Sequence, residues 1–374
     1  MKVAYESVGK RSRAKGVSGR GTYGVLAVIV FYAVVAVVYL PSWSWPPPPP
    51  LTPVPAGLTT LFKILQVADM HYTGNPNFAC EDTPFSPCTE ANMTQLLAHL
   101  LDEERPDLVV FTGDQIECRD VTQTAEGVRR AIDAYASLVI AREIPWAMVF
   151  GNHDEGASSS RMEMMAYIAT LPYSRSRAGP VGVGGVGNYE LSFPHPRSNA
   201  TMLRAYFMDT GVDGRISRRQ REYMVNLSAA HTDRAPALAF FHFPTPEYEP
   251  LPRERIVYGH KGEPVSHGPD SGLFATLVEM GDVKATFVGH DHRSDYCLRR
   301  GSIQMCYGGS IGLGYGYSTP RIARQARVIL YGRSNTTEAI TTYVRTAAGI
   351  GETYLLHQAP LDQDDKLVAA ITGV

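Results

Sequence analysis

Pro145-Trp146-Ala147-Met148-Val149-Phe150-Gly151-Asn152-His153-Asp154 is an apolar run that ends abruptly in polar residues. The run reads as a strand buried on both faces, as in sheets covered by helices. Gly151 to Asp154 then fall just past the strand's carboxyl end, where open α/β sheets build their sites. An Asn amide oxygen can ligate a hard metal ion while the neighbouring imidazole faces a substrate. Working outward, the same arrangement recurs. Phe62 to Ala68 leads to Asp69-Met70-His71, Leu108 to Thr112 to Gly113-Asp114, Ala237 to Phe241 to His242, and Val283 to Val288 to Gly289-His290-Asp291-His292.

Between the first three strands, Asn92 to Glu104 and Ala125 to Ala141 have helical periodicity. This β-α-β-α-β order predicts an α/β fold with helices packed on a largely parallel or mixed sheet. Ser160-x-x-Glu163 and Ser217-x-x-Gln220 read as capping boxes that open helices to Leu171 and about Ala229. Tyr189 to Phe193 and Leu203 to Met208 read as strands, Leu273 to Met280 as a short helix, and Ser302 to Tyr307, Ala326 to Tyr331 and Ala339 to Val344 as closing antiparallel strands. The main domain is thus expected over residues 61–345, with residues 346–374 an unassigned tail. Gly182-Val183-Gly184-Gly185-Val186-Gly187 matches a dinucleotide fingerprint in letters only: it precedes a strand instead of opening a helix, and reads as a surface loop.

The formal charge of −2 hides an asymmetry. The first 20 residues carry six bases and one acid, and removing that +5 segment leaves the remainder at −7. A basic nucleic-acid surface is not expected on the main domain. No residue from Gly21 to Phe62 is charged, and the 17 residues Gly24 to Leu40 are almost all apolar, at the short end of a bilayer-spanning helix. Trp43 and Trp45 suit an interfacial belt, and the preceding bases predict a cytoplasmic N-terminus. The expected organisation is a basic tail (1–20), a signal anchor in the lipid bilayer (21–45), a Pro-rich spacer (46–60) and a lumenal or extracellular domain. The alternative is secretion after cleavage of a signal peptide, against which stand the long basic region and the lack of a small-x-small cleavage pattern near Tyr39-Leu40-Pro41. Sequons at Asn92, Asn199, Asn226 and Asn335 suit that compartment. So do the cysteines: Cys80 with Cys88, and Cys297 with Cys306, are close enough in sequence for local disulfides, which leaves Cys118 free.

Asp69, His71, Asp114, Asn152, His242, His290 and His292 are more carboxylate, amide and imidazole ligands than one ion needs. Two transition-metal ions (Fe, Zn or Mn) are expected. If Asp114 bridges them, Asp69, His71 and His292 complete one shell and Asn152, His242 and His290 the other. Such a pair activates water and clamps a phosphate for in-line displacement, so a phosphoester is the expected substrate. His153, beside a ligand but not needed as one, is placed to protonate the leaving alkoxide.

These five blocks resemble the signature of calcineurin-like metallophosphoesterases, in the family's order and over about residues 61–332. The nearer likeness is to atypical plant purple acid phosphatases and fungal Dcr2-type phosphatases, through Phe62-Lys63-Ile64-Leu65-Gln66-Val67-Ala68-Asp69-Met70-His71 and Val288-Gly289-His290-Asp291-His292. The resemblance implies two mixed β-sheets packed as a sandwich and flanked by helices (four-layer α/β/β/α), with the dimetal site on loops at one edge and His153 and Asp154 as catalytic residues. True purple acid phosphatases have a tyrosine three residues after the bridging Asp, where this chain has Glu117, and lack the counterpart of His71. An iron-tyrosinate centre is therefore not expected. Serine/threonine phosphatases place at that offset an Asp that orients the catalytic His, which makes Glu117 a candidate orienter of His153; the other reading is a solvated loop residue. A non-catalytic ectodomain that keeps the fold as a binding or scaffolding module is the alternative function, and loss of a ligand would signal it. None is lost.

Overall fold

The computed structural model describes residues 54–83, 85–196, 200–233, 235–334 and 336–361. Strands β1 (Thr59–Val67), β2 (Leu108–Thr112) and β3 (Trp146–Val149) are parallel neighbours, joined by helices α1 (Glu90–Glu104) and α2 (Ala125–Ile140). Thr124 starts α2 by accepting a hydrogen bond from Gly127 N, so an otherwise orphaned donor is satisfied.

After α3 (Arg161–Ile168) the chain does not return to this sheet. It begins a second one with β4 (Tyr189–Pro194) and β5 (Thr201–Phe207), an antiparallel pair. Helix α4 (Arg218–Ala229), β6 (Ala237–Phe240), α5 (Leu273–Met280), β7 (Val283–Val288), β8 (Cys297–Arg300) and β9 (Ile303–Tyr307) complete it in the order β4-β5-β6-β7-β9-β8. The chain then crosses back. β10 (Gln325–Arg333) pairs antiparallel with β1, and β11 (Thr337–Thr346), β12 (Gly349–Ile350) and β13 (Tyr354–Pro360) extend the first sheet. The single sheet suggested by residue pattern alone is thus corrected to two mixed sheets, because apolar periodicity marks a buried strand without naming its partner. The sheet also takes in residues past 345, where β13 pairs with β11.

Strand alternation sorts the core into layers. Leu65, Val67, Val109, Phe111 and Met148 meet α1 and α2 residues such as Leu97, Leu101, Ile132 and Val139. Their neighbours Ile64, Leu108, Val110, Ala147 and Val149 point the other way, against Ala205, Phe207, Leu238, Phe240 and Phe287 of the second sheet. Tyr206, Ala239 and Met305 in turn meet Met224 and Leu277 on the second helical face. Tyr189, Phe207, Phe240 and Phe287 stack in succession with centroids 4.5, 5.4 and 5.3 Å apart; such pairs are worth about 0.5–1.5 kcal/mol each beyond area burial. They hold the seam between the sheets, above which the strand ends converge.

Both capping boxes form, Ser160 with Glu163 and Ser217 with Gln220. Cys80–Cys88 and Cys297–Cys306 are disulfides and Cys118 is a buried free thiol, a pattern of an oxidising lumenal or extracellular compartment. No helix among the described residues is long and apolar enough to cross a membrane. The expected basic tail and the anchor at 21–45 lie outside the described residues.

Candidate metal centre

Four of the expected ligands sit in the left-handed backbone region: Asp69 (φ 55°), His71 (φ 53°), Asp114 (φ 52°) and His290 (φ 74°). Few residues other than glycine adopt it, although Asp and His are among the more tolerant, and such outliers gather at functional sites. The turns they form are tightly interlocked. Asp69 accepts the backbone N–H of His290 at 2.9 Å, and Asp114 Oδ1 that of His153 at 2.8 Å. A Cβ on Gly151 would lie 2.1 Å from Asp114 Oδ1, so only glycine permits this approach.

The expected ligand atoms gather into two groups that share Asp114, and a further group joins His71 to Glu117 and His153. Asp69, His71, Asp114 and His292 form one; Asp114, His242 and His290 form the other. Asn152 Oδ1 joins the second group, 3.1 Å from His242 Nε2. Each of three imidazoles is turned by its far nitrogen. His71 Nδ1 donates to Glu117 Oε2 at 2.8 Å, His242 Nδ1 to the Thr112 carbonyl at 3.0 Å, and His292 Nδ1 to the Tyr317 carbonyl at 2.8 Å. These partners accept only, so each ring keeps its Nδ1 proton, and in the neutral form that binds a metal its Nε2 lone pair is aimed inward. His71 Nε2 and His292 Nε2 then face each other at 3.1 Å, and His242 Nε2 stands 3.2 Å from Asp114 Oδ2.

Asp69, Asp114 and His242 are all at most 1% exposed. Burial pushes the Asp69 carboxyl up to about 7, although His242 draws it back. Burial opposes ionisation of Asp114 too, but His242 and His71 hold it well below the usual range. His242 is raised to about 9: burial disfavours the cation, and Asp114 and Asp69 outweigh it. Opposed lone pairs among buried carboxylates are a costly arrangement that cations between them relieve. The donor set of carboxylate, imidazole and amide oxygen fits two transition-metal ions, one per group. In these respects the residues present fit the expected cofactor.

His153 and His290 are the part-exposed members of the site, His153 with 19% of its side chain open. Glu117 is not a solvated loop residue: it is fully buried, with Oε2 2.8 Å from both His71 Nδ1 and His153 Nδ1. The His71 contact is an aligned hydrogen bond, whereas the His153 nitrogen is reached from an unfavourable direction and keeps the ion-pair distance alone. Burial works against the Glu117 charge, yet His153 and His71 hold its carboxyl down to about 2. Its other oxygen accepts the N–H groups of Arg119 at 3.0 Å and Asp120 at 2.8 Å.

Asp154, expected as a catalytic residue, is placed differently. It is 1% exposed, and its oxygens accept the backbone N–H groups of Gly151 (2.6 Å), Asp114 (3.0 Å) and Ile116 (2.9 Å). A carboxylate so committed ties two ligand turns together and offers no face to a substrate. The carbonyls that orient His242 and His292 left no trace in the sequence, because any residue supplies one. Arg161, whose Nη2 donates to the Gly151 carbonyl at 2.7 Å, carries no signal in the sequence beyond its place after the Ser160 cap.

Comparison with known proteins agrees with this geometry. The family profile described as Calcineurin-like phosphoesterase matches residues 62–294. The chain is 33% identical over 302 residues to the protein named probable inactive purple acid phosphatase 29 of Arabidopsis thaliana, covering 72% of this chain and 76% of that one. It is also 33% identical over 279 residues to phosphatase DCR2 of Saccharomyces cerevisiae, covering 66% of this chain but only 47% of that longer protein. The structure of a dimetal phosphatase from Danio rerio superposes with a TM-score of 0.54 at 15% identity, covering 80% of this chain and 99% of that one, which shows a shared fold. A metallophosphoesterase in its fold and in its ligand set, the chain belongs to the calcineurin-like phosphoesterases.

Proposed function

We propose that the protein hydrolyses phosphoesters at a dimetal centre, with Asp69, His71, Asp114 and His292 holding one ion and Asp114, Asn152, His242 and His290 the other. The observation that carries this reading is the 3.1 Å approach of two inward-facing imidazole nitrogens, His71 Nε2 and His292 Nε2, beside a buried Asp114. When bound, a pair of ions supplies Lewis acidity toward a phosphoryl group and a water of lowered pKa. The protein's part is to fix the donors, exclude water around Asp69 and His242, and manage the proton of the leaving group. Water oxygen joins phosphorus and gives up a proton to solvent, the bond from phosphorus to the alcohol oxygen breaks, and protonated His153 gives the departing alkoxide its proton and is reprotonated from solvent. Glu117 steadies the His153 ring from behind. Asp154 keeps the turns of Asp114 and Asn152 in register.

The domain is read as the ectodomain of a type II membrane protein anchored through residues 21–45, a reading supported by the apolar run, the bases before it and the disulfides beyond it. A second reading, a binding module without turnover, is favoured by one observation: the Arabidopsis relative is named probable inactive. The two part on a direct assay. Zn2+- or Mn2+-loaded protein is expected to release aryl alcohol from an aryl phosphate monoester or diester, and to stop when a chelator is added. Fully loaded protein inert toward both ester types would establish the binding module instead.

A further inference from the structure

We infer that Arg161 and Asp209 form a positioning pair that holds the Asn152 turn, so that the ion held by Asn152, His242 and His290 depends on them. The inference rests on the dimetal reading above and adds to it the residues that make one of the two positions separable from the other.

The first group draws Asp69, His71 and Asp114 from turns of the first sheet, and only His292 crosses from the second. The other group straddles the seam: Asn152 follows β3, whereas His242 and His290 follow β6 and β7. Its geometry therefore requires the two sheets to be locked in register at this edge, and Arg161 supplies the lock. At the first position of α3, its Nη2 donates to the Gly151 carbonyl at 2.7 Å and its Nη1 pairs with Asp209 Oδ1, just past the end of β5 in the second sheet. Nε faces Glu155 Oε2 at 3.3 Å, and the guanidinium lies 5.6 Å from the centre of the Phe150 ring. Arg161 is 5% and Asp209 1% exposed. Thus a planar fork joins the residue before Asn152 to the opposite sheet, and an ammonium, whose donors all sit on one atom, does not reproduce its fixed span between the two acceptors.

Asp209 is itself fixed from several sides. Oδ1 also accepts Gly211 N at 2.9 Å and Oδ2 accepts Val186 N at 2.7 Å, while the Asp209 carbonyl accepts Gln220 Nε2 at 2.7 Å from the capping turn of α4. This gives the glycine-rich stretch 182–187 a role. Gly185 has φ +65°, and a Cβ there would come within 2.9 Å of Asp209 Oδ2, so the loop can close on the carboxylate only without a side chain. Among the described residues no hydrogen bond or ion pair links either of them to a ligand side chain, and the bond to the Gly151 carbonyl reaches the backbone of the Asn152 turn.

The test is Zn2+ titration of the metal-free full-length protein and its variants, followed by calorimetry and metal analysis. Arg161→Ala strands a buried carboxylate and need not fold, so the informative variant is Arg161→Lys, with Arg204→Lys, another buried arginine, which pairs with Asp233, as control. Arg161→Lys is expected to weaken one Zn2+ site by about 10–100-fold, the range for supporting residues around a metal, and to leave the other within about twofold. The weakened site is the one that Asn152→Ala removes, and adding Arg161→Lys to Asn152→Ala weakens Zn2+ binding no further, as expected of residues acting through one turn. Arg204→Lys keeps both sites. Parental affinity at both sites of Arg161→Lys, or equal weakening of the two, would overturn the inference and leave the dimetal reading standing. A parent protein that takes up no Zn2+ would overturn both.

Discussion

Asp114→Asn is expected to empty the centre and lower turnover on the order of 10³-fold or more. Asp114 Oδ2 lies 3.2 Å from His242 Nε2 and 3.6 Å from His71 Nε2, while Oδ1 accepts the backbone N–H of His153. An amide must sacrifice one of these sides. Turned inward, its NH2 group faces imidazole nitrogens and repels cations; turned outward, it meets the His153 N–H donor with a second donor. A neutral amide is in any case a poor bridge between two ions. Metal ions contribute several kcal/mol to the barrier, and each 1.36 kcal/mol is a factor of ten, which sets the magnitude. Thermal melting supplies a check without substrate. Ions that bind only the folded chain raise its melting temperature by mass action, so a chelator should lower that of the parent and leave that of Asp114→Asn unchanged. A variant that keeps both ions at parental affinity would remove Asp114 from the bridging position.

His153→Asn is expected to lower turnover by about 10²–10⁴-fold, the usual contribution of a positioned acid, with metal content equal to that of the parent. The ring stands at the open edge of the site, outside the two groups that share Asp114, and converges only with His71 and Glu117. The loss should shrink for esters with strongly acidic leaving groups, which depart without a proton. If activated aryl esters and poor alkyl esters lose equally, His153 does not protonate the leaving group. Glu117→Gln is expected to act on both the metal and the acid. Because Glu117 accepts the Nδ1 proton of His71 as well as backing His153, the substitution is expected to weaken metal binding by about 10–100-fold in addition to slowing turnover.

The strand ends that build the site are legible in the sequence because a strand buried on both faces is an unbroken apolar run, and its end is where the polarity changes. Hence Asp69, His71, Asp114, Asn152, His242, His290 and His292, which the structure brings together, are each picked out by local pattern alone. The caps at Ser160 and Ser217 are legible for the same reason, since their chemistry spans three residues. What depends on distant partners is not. Pattern does not tell that β4 pairs with β5 in a new sheet instead of extending β3, and β13 is too weakly patterned to stand out beyond residue 345. Asp154 shows how adjacency to a motif misleads. It stands beside His153, yet its burial and its bonds to N–H groups 38 and 40 residues away make it part of the framework. Arg161 and Asp209, 48 residues apart, carry no spacing signal at all.

Anomalous diffraction from crystals loaded with Zn2+ or Mn2+ tests the central claim most directly. The account predicts two peaks about 3.5–4 Å apart, as in two-metal hydrolases, one on each side of the Asp114 carboxylate, with Asp69, His71 and His292 around the first and Asn152, His242 and His290 around the second. A single peak, or a pair not bridged by Asp114, would contradict it.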